Sequence, residues 1–329
     1  MKILPVTYME RDIMAKSLIM DANNLLYRTF FAQIDEAEDV VIGMCHHAAL
    51  WTMQKYYREY PADEIVMAFD SLSWRKLYTK DLSQCVTYKK YKGHRRQNLT
   101  PSQQAKLEKF DTHVQEFAQM LKEETSILVL QEKYLEADDL IAGYIQNNPD
   151  MRHVLVTSDK DYIQLLGRNN LTIIDPDSGK PRSLKEWNDD PDYFMFEKCL
   201  RGDTSDNVMS AYPRLRSKKI VEAYTDEYIK QSVMNHTFKV LVNTEDGSIE
   251  EQEFTTREVF EENDLLMNLH SQPEYIKKLM ASSIEDSRRT KGKFNYMKFI
   301  KFCGKHQLKN ILDKVDQFVP MLAGKNIRA

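Results

Sequence analysis

The stretch Leu18-Ile19-Met20-Asp21 is a short apolar run that ends in a carboxylate. The same pattern recurs at Ile65-Val66-Met67-Ala68-Phe69-Asp70 and at Val154-Leu155-Val156-Thr157-Ser158-Asp159. Apolar runs of this kind predict buried strands, and the carboxyl ends of parallel strands in an open α/β sheet converge on the crevice where such folds bind ligands. The sequence therefore predicts an acidic crevice at one edge of a parallel sheet.

Strand and helix patterns alternate along this part of the chain. The predicted strands are residues 17–22, 64–70, 126–131, 153–158 and 171–175. The predicted helices between them are residues 40–60, 101–123 and 137–147. This alternation is typical of an α/β fold with a parallel, doubly wound sheet flanked by helices.

The pattern changes near residue 206, where we place a domain boundary. Residues 1–206 form the predicted α/β core, and residues 207–329 form a mainly helical region. Within that region, residues 238–254 carry two strand-like runs around Asp246-Gly247, which predicts a hairpin.

Composition excludes several classes of protein. The 329 residues carry a net charge of −4, so the chain is not a polycation, although a local basic patch can still bind phosphate. The four cysteines show no CxxC spacing, which argues against a disulfide framework and a structural zinc site and favours a reducing compartment. We find no signal-peptide pattern and no apolar run of about 18 residues, so we expect a cytoplasmic protein without a membrane span.

Nine carboxylates at or near the ends of apolar runs are candidate metal ligands: Asp21, Asp70, Glu136, Asp138, Asp139, Asp159, Asp161, Asp203 and Asp206. Any one of them alone could simply cap a helix. Three close pairs are harder to explain that way, because residues three apart on a helix, or two apart at a strand end, share a face and repel. Oxygen ligands grouped in this way suit Mg²⁺ or Mn²⁺.

Five motifs that contain these carboxylates resemble, in order, those of the 5′→3′ exonuclease and flap endonuclease family. They are Asp21-Ala22-Asn23-Asn24-Leu25-Leu26-Tyr27-Arg28, Phe69-Asp70, Glu136-Ala137-Asp138-Asp139, Ser158-Asp159-Lys160-Asp161-Tyr162-Ile163-Gln164-Leu165 and Gly202-Asp203-Thr204-Ser205-Asp206-Asn207. The family includes the 5′-nuclease domain of bacterial DNA polymerase I and phage 5′-exonucleases, one of which is called ribonuclease H. A single motif is a weak signal, whereas five in the family order are highly specific.

The resemblance implies a PIN-like nuclease core with two metal clusters. By motif position, the first cluster contains Asp21, Asp70, Glu136 and Asp138. The second contains Asp159, Asp161, Asp203 and Asp206, with Asp139 between the two. The implied cofactor is two or more Mg²⁺ ions, for which Mn²⁺ can substitute, and the implied chemistry is a two-metal hydrolysis of phosphodiester bonds.

A strongly basic segment lies between two of the acidic motifs. Its cations are Arg75, Lys76, Lys80, Lys89, Lys90, Lys92, Arg95 and Arg96. Such a run is usually a solvated face, but here aromatic residues alternate with the cations. This mixture suits single-stranded nucleic acid, because cations meet phosphates and rings stack on bases. We predict that nucleic acid is bound by Arg75, Lys76, Lys89, Lys90 and Arg96.

In the family this position forms a helical arch, which would here be an insertion at about residues 72–110. Tyr91-Lys92-Gly93-His94-Arg95 resembles the signature at the base of the arch. The resemblance implies that Lys92 contacts the scissile phosphate, that Tyr91 stacks on the terminal base and that Arg95 is a second phosphate contact.

The family usually has a glycine-rich helix-turn-helix after Asp206-Asn207, but residues 208–220 contain no glycine. The stretch keeps its positive charge in Arg214, Arg216, Lys218 and Lys219. We predict that these four residues bind duplex DNA, and the degraded motif favours a phage-type enzyme.

We interpret the sequence as a Mg²⁺-dependent, structure-specific 5′→3′ exonuclease and flap endonuclease with ribonuclease H-type activity. It would remove RNA primers or 5′ flaps in lagging-strand replication. The expected substrates are branched, flapped or nicked DNA and RNA–DNA hybrids, and the expected protein partners of this monomer are a single-strand-binding protein or a sliding clamp.

Two alternatives stay open. One is a PIN-type ribonuclease, although the usual small size of that class lacks the basic insertion and the helical C-terminal region. The other is a catalytically inactive protein that binds branched DNA, which would be marked by the loss of expected ligands.

Overall fold

The computed structural model describes residues 14–82, 85–95, 99–243 and 248–324. The strands of its main sheet are β1 (Lys16–Asp21), β2 (Glu64–Ala68), β3 (Leu128–Leu130), β4 (Arg152–Val156) and β5 (Leu171–Ile174). All five are parallel and lie in the order β3-β2-β1-β4-β5. The strand order therefore reverses between β1 and β4, which is where open α/β sheets form their ligand crevice.

Helices cover both faces of this sheet. In β1, Leu18 and Met20 pack into the core layer on one face, whereas Ile19 packs into the layer on the other. All three side chains are fully buried. Parallel strands that are buried on both faces form continuous apolar runs, which is why the sequence pattern locates them.

The α-helices of the described residues are α1 (Ala22–Ala32), α2 (Glu38–Glu59), α3 (Trp74–Tyr78), α4 (Pro101–Glu124), α5 (Ala137–Gln146), α6 (Pro191–Arg201), α7 (Ser217–Thr225), α8 (Glu227–Met234), α9 (Thr256–Met267), α10 (Glu274–Arg289), α11 (Tyr296–Lys305), α12 (Lys309–Leu312) and α13 (Val319–Leu322). Helices α1, α2, α4 and α11–α13 form the layer on one face of the sheet, and α5 and α10 lie in the layer on the other. A third, smaller core joins α6–α9 to an antiparallel hairpin of β6 (Thr237–Asn243) and β7 (Ile249–Thr255).

The structure confirms the predicted parallel sheet and the predicted hairpin, with shifts of a few residues at most element ends. The Asp246-Gly247 turn lies outside the described residues. Helix α1 was not predicted, because it starts directly after β1 and its sequence was interpreted as part of a motif. The domain boundary near residue 206 stays a prediction, since α10–α13 return to pack against the layers of the α/β core.

Among its described residues, the basic insertion contains little regular helix before α4. Helix α3 is five residues long, and the described residues between α3 and α4 form turns and loops. Helix α4 then starts at a capping box, in which the Thr100 hydroxyl accepts from the Gln103 backbone N–H and the Gln103 side chain accepts from the Thr100 backbone N–H. Pro101 at the first helical position strengthens this start.

All four cysteines are buried and free. Among the helices described, none has both the length and the apolar character needed to cross a membrane.

Gly202 connects α6 to the loop that carries Asp203, and its substitution tests how tightly that loop is built. Its φ of +67° and ψ of −169° lie in a region that essentially only glycine occupies. A Cβ at this position would also lie 2.5 Å from the Met209 carbonyl carbon. We expect Gly202→Ala to lower the free energy of unfolding by about 3 kcal/mol or more, since backbone strain costs about 1–2 kcal/mol and overpacking about 1–3 kcal/mol.

Gly179→Ala is the matched control. Gly179 has the same φ of +67°, but a Cβ there would meet no atom within 4 Å. Its substitution should cost only about 1–2 kcal/mol, the strain term alone. Urea unfolding measures both values, and equal costs would contradict the close packing of the Gly202 loop.

Candidate metal centre

Five of the nine candidate carboxylates line one cavity of about 880 Å³ at the carboxyl ends of the strands: Asp21, Asp70, Glu136, Asp138 and Asp159. We call these five residues the acidic crevice. Asp21 ends β1, and Asp159 follows β4, so the crevice opens at the point where the strand order reverses. The predicted convergence of these carboxylates on one crevice is thus confirmed.

Asp21 is held on both sides by hydrogen bonds. Its Oδ1 accepts from the Asn24 backbone N–H (2.9 Å), which caps α1, and its Oδ2 accepts from the Tyr162 hydroxyl (3.2 Å). Burial, followed by the charges of Asp70 and Asp159, raises the pKa of Asp21 to about 7. The fold therefore holds an uncompensated carboxylate at this position.

Asp70 is positioned by two backbone N–H groups. Its own N–H donates to Asn23 Oδ1 (2.9 Å), and the Ala137 N–H at the start of α5 donates to Asp70 Oδ1 (2.8 Å). Burial and the neighbouring Glu136 raise the pKa of Asp70 above its ordinary range. Asp70 is thus fixed at the positive end of α5.

Glu136 differs from its neighbours because the chain supplies cations for it. Lys92 Nζ donates to Oε1 (2.7 Å), while Ser73 Oγ (2.7 Å) and Arg75 Nη1 (3.2 Å) donate to Oε2. Burial opposes ionisation, but Lys92 and Arg75 lower the pKa of Glu136 to about 2. Conversely, although burial favours a neutral amine, Glu136 keeps the pKa of Lys92 above its ordinary range.

Arg75 and Asp139 form a buried ion pair, which corrects two of the predictions. The Arg75 side chain is 1% exposed; its Nη1 and Nη2 donate to the two oxygens of Asp139 (both 2.8 Å), and its Nε donates to the Leu266 carbonyl (2.7 Å). Asp139 also accepts from Gln272 Nε2 (3.0 Å) and the Glu136 backbone N–H (3.3 Å). Arg75 is therefore not on a nucleic-acid surface, and Asp139 has its acceptor sites occupied by protein donors rather than open to a metal.

Asp138, one residue before Asp139, points into the acidic crevice instead. Its side chain is half-buried, and its Oδ1 lies 3.8 Å from Arg75 Nη1. Burial raises the pKa of Asp138 well above its ordinary range, although Arg75 opposes this effect. Asp138 therefore keeps oxygen atoms that can reach a ligand in the crevice.

Asp159, Asp161 and Asp203 surround a lysine that sequence reasoning missed. Lys198 on α6 forms an ion pair with Asp161 Oδ1, and its Nζ lies 3.7 Å from Asp203 Oδ2. The Asp161 backbone N–H donates to Asp159 Oδ1 (2.9 Å), and burial and the Asp161 charge raise the pKa of Asp159 to about 6. Lys198 belongs to none of the five motifs, so no sequence pattern pointed to it.

Asp206 lies with the basic segment rather than with Lys198. Its Oδ1 accepts from Arg95 Nη2 (2.7 Å), its Oδ2 accepts from the Tyr91 hydroxyl (2.8 Å), and Lys92 Nζ is 3.9 Å from Oδ2. Tyr91 is only 4% exposed and belongs to the same buried core cluster as Trp74. The predicted stacking of Tyr91 on a terminal base is therefore wrong, and Tyr91 instead positions Asp206.

The remaining predicted nucleic-acid contacts lie on the surface where the structure describes them. Lys76 is exposed and lines the cavity of the acidic crevice, Lys90 is exposed and Lys89 is half-buried. Arg96 lies outside the described residues. The four duplex-binding candidates are all exposed at or just before the start of α7: Arg214, Arg216, Lys218 and Lys219.

The acidic crevice fits divalent cations. Lysines and arginines of the chain pair with Glu136, with Asp138 and with carboxylates outside the crevice, whereas Asp21, Asp70 and Asp159 have no ion-pair partner among the described residues. Buried oxygens that lack a counter-charge and share one cavity are the donor set that Mg²⁺ and Mn²⁺ prefer.

A family model described as the N-terminal resolvase-like domain of 5′–3′ exonucleases matches residues 16–192, more than half of the chain. The chain belongs to the 5′–3′ exonuclease family. DNA polymerase I of Caldicellulosiruptor bescii is 25% identical over 229 residues, which cover 64% of this chain and 24% of the polymerase. The chain thus spans about a quarter of the length of that family relative.

Solved structures with the same fold include two of bacteriophage T5 proteins. The T5 5′-exonuclease with divalent metal ions (zinc) bound is 16% identical, with a TM-score of 0.58 over 84% of this chain and 99% of that one. The T5 flap endonuclease in a pseudo-enzyme–product complex with DNA and metal ions is 16% identical, with a TM-score of 0.56 over 84% and 98% of the two chains. At these identities the likeness establishes the shared fold of this 5′–3′ exonuclease family member.

The buried position of Arg75 predicts that its loss will unfold the protein rather than weaken DNA binding alone. Arg75→Met leaves Asp139 charged and unpaired in the core, which typically costs about 3–5 kcal/mol. Lys76→Met, at the exposed neighbouring position, should change the free energy of unfolding by less than about 0.5 kcal/mol and weaken binding of a 5′-flap DNA. Urea unfolding and DNA titration at one salt concentration distinguish the two, and a fully stable Arg75→Met protein would contradict the ion-pair assignment.

The raised pKa of Asp21 predicts a pH-dependent cost to stability. Because the pKa of Asp21 rises from its ordinary 3.8 to about 7 on folding, the folded chain binds more protons than the unfolded chain, and stability falls as pH rises between these values. Asp21→Asn should therefore raise the stability of metal-free protein by on the order of 2 kcal/mol at about pH 8, and by little at about pH 4. Thermal unfolding in EDTA at both pH values measures this, with the exposed Asp150→Asn as control; a gain of the same size at both pH values would refute it.

Proposed function

We propose that this chain is a divalent-metal-dependent 5′ nuclease that hydrolyses phosphodiester bonds as a 5′→3′ exonuclease and flap endonuclease. The observation that carries the proposal is the acidic crevice itself: uncompensated carboxylates at the strand-order reversal, bordered by Lys92 and Arg95. Membership of the 5′–3′ exonuclease family and the T5 fold relatives support it.

The metal ligands we propose are the carboxylates of the acidic crevice and the two carboxylates that contact Lys198. Asp21, Asp70, Glu136 and Asp138 would hold one ion, and Asp159, Asp161 and Asp203 would contribute to a second. Mg²⁺ is the proposed ion, with Mn²⁺ as a substitute, because every donor is a carboxylate oxygen. When bound, two such ions supply Lewis-acid activation of water and charge stabilisation for an in-line displacement at phosphorus.

The chain's own cations would bind the phosphate that is cut. Lys92 Nζ reaches the crevice through its bond to Glu136. The exposed Arg95 guanidinium is anchored by one nitrogen to Asp206, and its other donors have no hydrogen-bond partner among the described residues. An ammonium and a guanidinium held at the mouth of an acidic site can neutralise a phosphate.

The start of α7 is the proposed contact with duplex DNA. This helix has no acidic residue in its first turn and no side-chain cap, and it carries Lys218 and Lys219 there. Cations at the positive end of a helix repel each other and the dipole, which makes the site favourable for phosphate. Arg214 adds an exposed guanidinium in the preceding loop at a φ of +64°.

The substrates we propose are 5′ flaps, nicks and RNA primers in lagging-strand replication, with a single-strand-binding protein or sliding clamp as partner, and with the chain acting as a monomer in the cytoplasm. A PIN-type ribonuclease is the weaker candidate, because proteins of that class are usually small and lack the basic insertion and the C-terminal region that this chain has. An inactive DNA-binding protein is also disfavoured, since the crevice retains its carboxylates.

The test uses a 5′-labelled flap, a nicked duplex and an RNA–DNA hybrid, each with Mg²⁺ or with excess EDTA. We expect cleavage only with Mg²⁺. Asp159→Asn and Asp203→Asn should each abolish cleavage while leaving flap binding largely intact, because they remove charge from the metal site and not from the basic surface. Asp150→Asn is the control. Full cleavage in EDTA, or a wild-type rate in either site variant, would overturn the proposal.

Lys92→Ala tests the phosphate contact. If Lys92 stabilises charge that develops in the transition state, its loss should lower single-turnover cleavage by about 10²-fold or more, as removal of one preorganised donor does. Affinity should fall much less, because many other cations share the ground-state phosphates.

Lys89→Ala and Lys90→Ala are the comparison variants. Both lysines lie in the same segment, but neither is hydrogen-bonded to a crevice carboxylate among the described residues. They should weaken binding modestly and leave the single-turnover rate nearly unchanged at one fixed salt concentration. If Lys92→Ala instead changes only affinity, Lys92 is an ordinary phosphate contact.

A further inference from the structure

A second group of metal-binding side chains lies outside the acidic crevice, between the middle of α4 and the end of α11. It consists of His113, Glu116 and His306. Glu116 Oε2 lies 3.4 Å from His113 Nδ1 and 3.7 Å from His306 Nε2. One ligand atom from each of the three residues lies within 4.8 Å of the other two. We call these three residues the histidine cluster.

The fold brings the histidine cluster together from distant parts of the sequence. His113 and Glu116 are one turn apart on α4 and therefore share a face. His306 ends α11, where its backbone N–H donates to the Phe302 carbonyl (3.1 Å). The contact depends on the packing of α11 against α4 in the same core layer.

His306 carries an independent sign of a missing ligand. Its side chain is only 5% exposed, and its Nε2 makes no hydrogen bond to any described residue, although it points toward Glu116. His113 Nδ1 likewise lacks a hydrogen bond among the described residues. Buried polar atoms are almost always paired, and an unpaired one costs free energy. A bound cation would satisfy both nitrogens at once.

We propose that the histidine cluster binds a zinc ion, with water as the fourth ligand. Two imidazoles and one carboxylate are a zinc donor set, whereas Mg²⁺ prefers oxygen ligands alone. Zinc ligands at about 2.0–2.1 Å in tetrahedral geometry lie roughly 3.3–3.4 Å apart. The separations of 3.4 Å and 3.7 Å are close to that spacing.

The surroundings favour this ion. Burial lowers the pKa of His306, although Glu116 opposes this effect, and a metal ion binds the neutral form of an imidazole. His46, which is fully buried, packs edge-on against His306 with ring centroids 4.4 Å apart and shields one side of the cluster. Lys305 pairs with Glu116 Oε1, which leaves Oε2 for the ion, and the Lys305 side chain is 59% exposed and can turn away.

Zinc in this position would tie the wall of the acidic crevice to the C-terminal helices. Asp111 and Gln115, which flank His113 on α4, line the crevice cavity. The ion would thus fix α4 to α11 just behind the site. The proposal concerns metal binding and stability, and it does not depend on nuclease activity.

The test is a Co²⁺ titration of the full chain in saturating Mg²⁺. Co²⁺ in a four-coordinate nitrogen and oxygen site absorbs visible light far more strongly than Co²⁺ in an octahedral site of oxygens, so the two metal sites give different spectra. We expect one equivalent of the strong band in the wild type, its loss in His113→Gln and in His306→Gln, and its retention in His236→Gln, a half-buried histidine outside the cluster.

Zinc affinity and thermal unfolding give a second readout. Zinc added with Mg²⁺ should raise the Tm of the wild type and of His236→Gln but not of His113→Gln, and loss of the His113 ligand should weaken zinc binding by about 100-fold or more. The His113 side chain is 26% exposed, so its variant should fold even if His306→Gln does not. A wild type without the strong band, or a band and Tm shift that survive in His113→Gln, would overturn the proposal.

Discussion

Like charges that share a partly buried space repel strongly, and this fold gathers many carboxylates at one end of its sheet. The chain offsets that repulsion unevenly. Arginine and lysine side chains neutralise part of the set, whereas Asp21, Asp70 and Asp159 have no ion-pair partner among the described residues. The uncompensated charge faces a single cavity. The rest of the site therefore depends on cations from solution, and stability is lower wherever they are missing.

The sheet topology determines where that charge collects. Strands β1 and β4 are neighbours in the sheet. After β1 the chain goes on to β2 on one side, and after β4 it goes on to β5 on the other side. The connections therefore leave a gap between the carboxyl ends of β1 and β4. Helix α5 then presents its N-terminus to the same gap, and its first backbone N–H, from Ala137, donates to Asp70. Backbone dipoles thus hold the carboxylates in place without removing their charge.

The strand patterns and the acidic motifs could be predicted because they depend on local sequence. Apolar runs locate strands, and a carboxylate after each run must fall at one edge of a parallel sheet. The fate of the basic residues could not be predicted this way. Arg75 and Lys76 are adjacent and look alike in sequence, yet one is buried against Asp139 and the other is exposed. The packing of α9 and α10 against α3 and α5 determines which of the two side chains is buried.

The position of Lys92 connects the basic segment to the acidic one. Tyr91, Lys92 and Arg95 all bind Asp206, by side chain or by backbone, so a single carboxylate anchors the base of the insertion. Lys92 adopts a left-handed φ of +54°, at some cost in backbone strain, and its side chain donates to Glu136. Its ammonium therefore has two competing anions, Glu136 and an incoming phosphate. Any loss of negative charge at Glu136 weakens its ion pair with Lys92 and makes the Lys92 ammonium available to the phosphate.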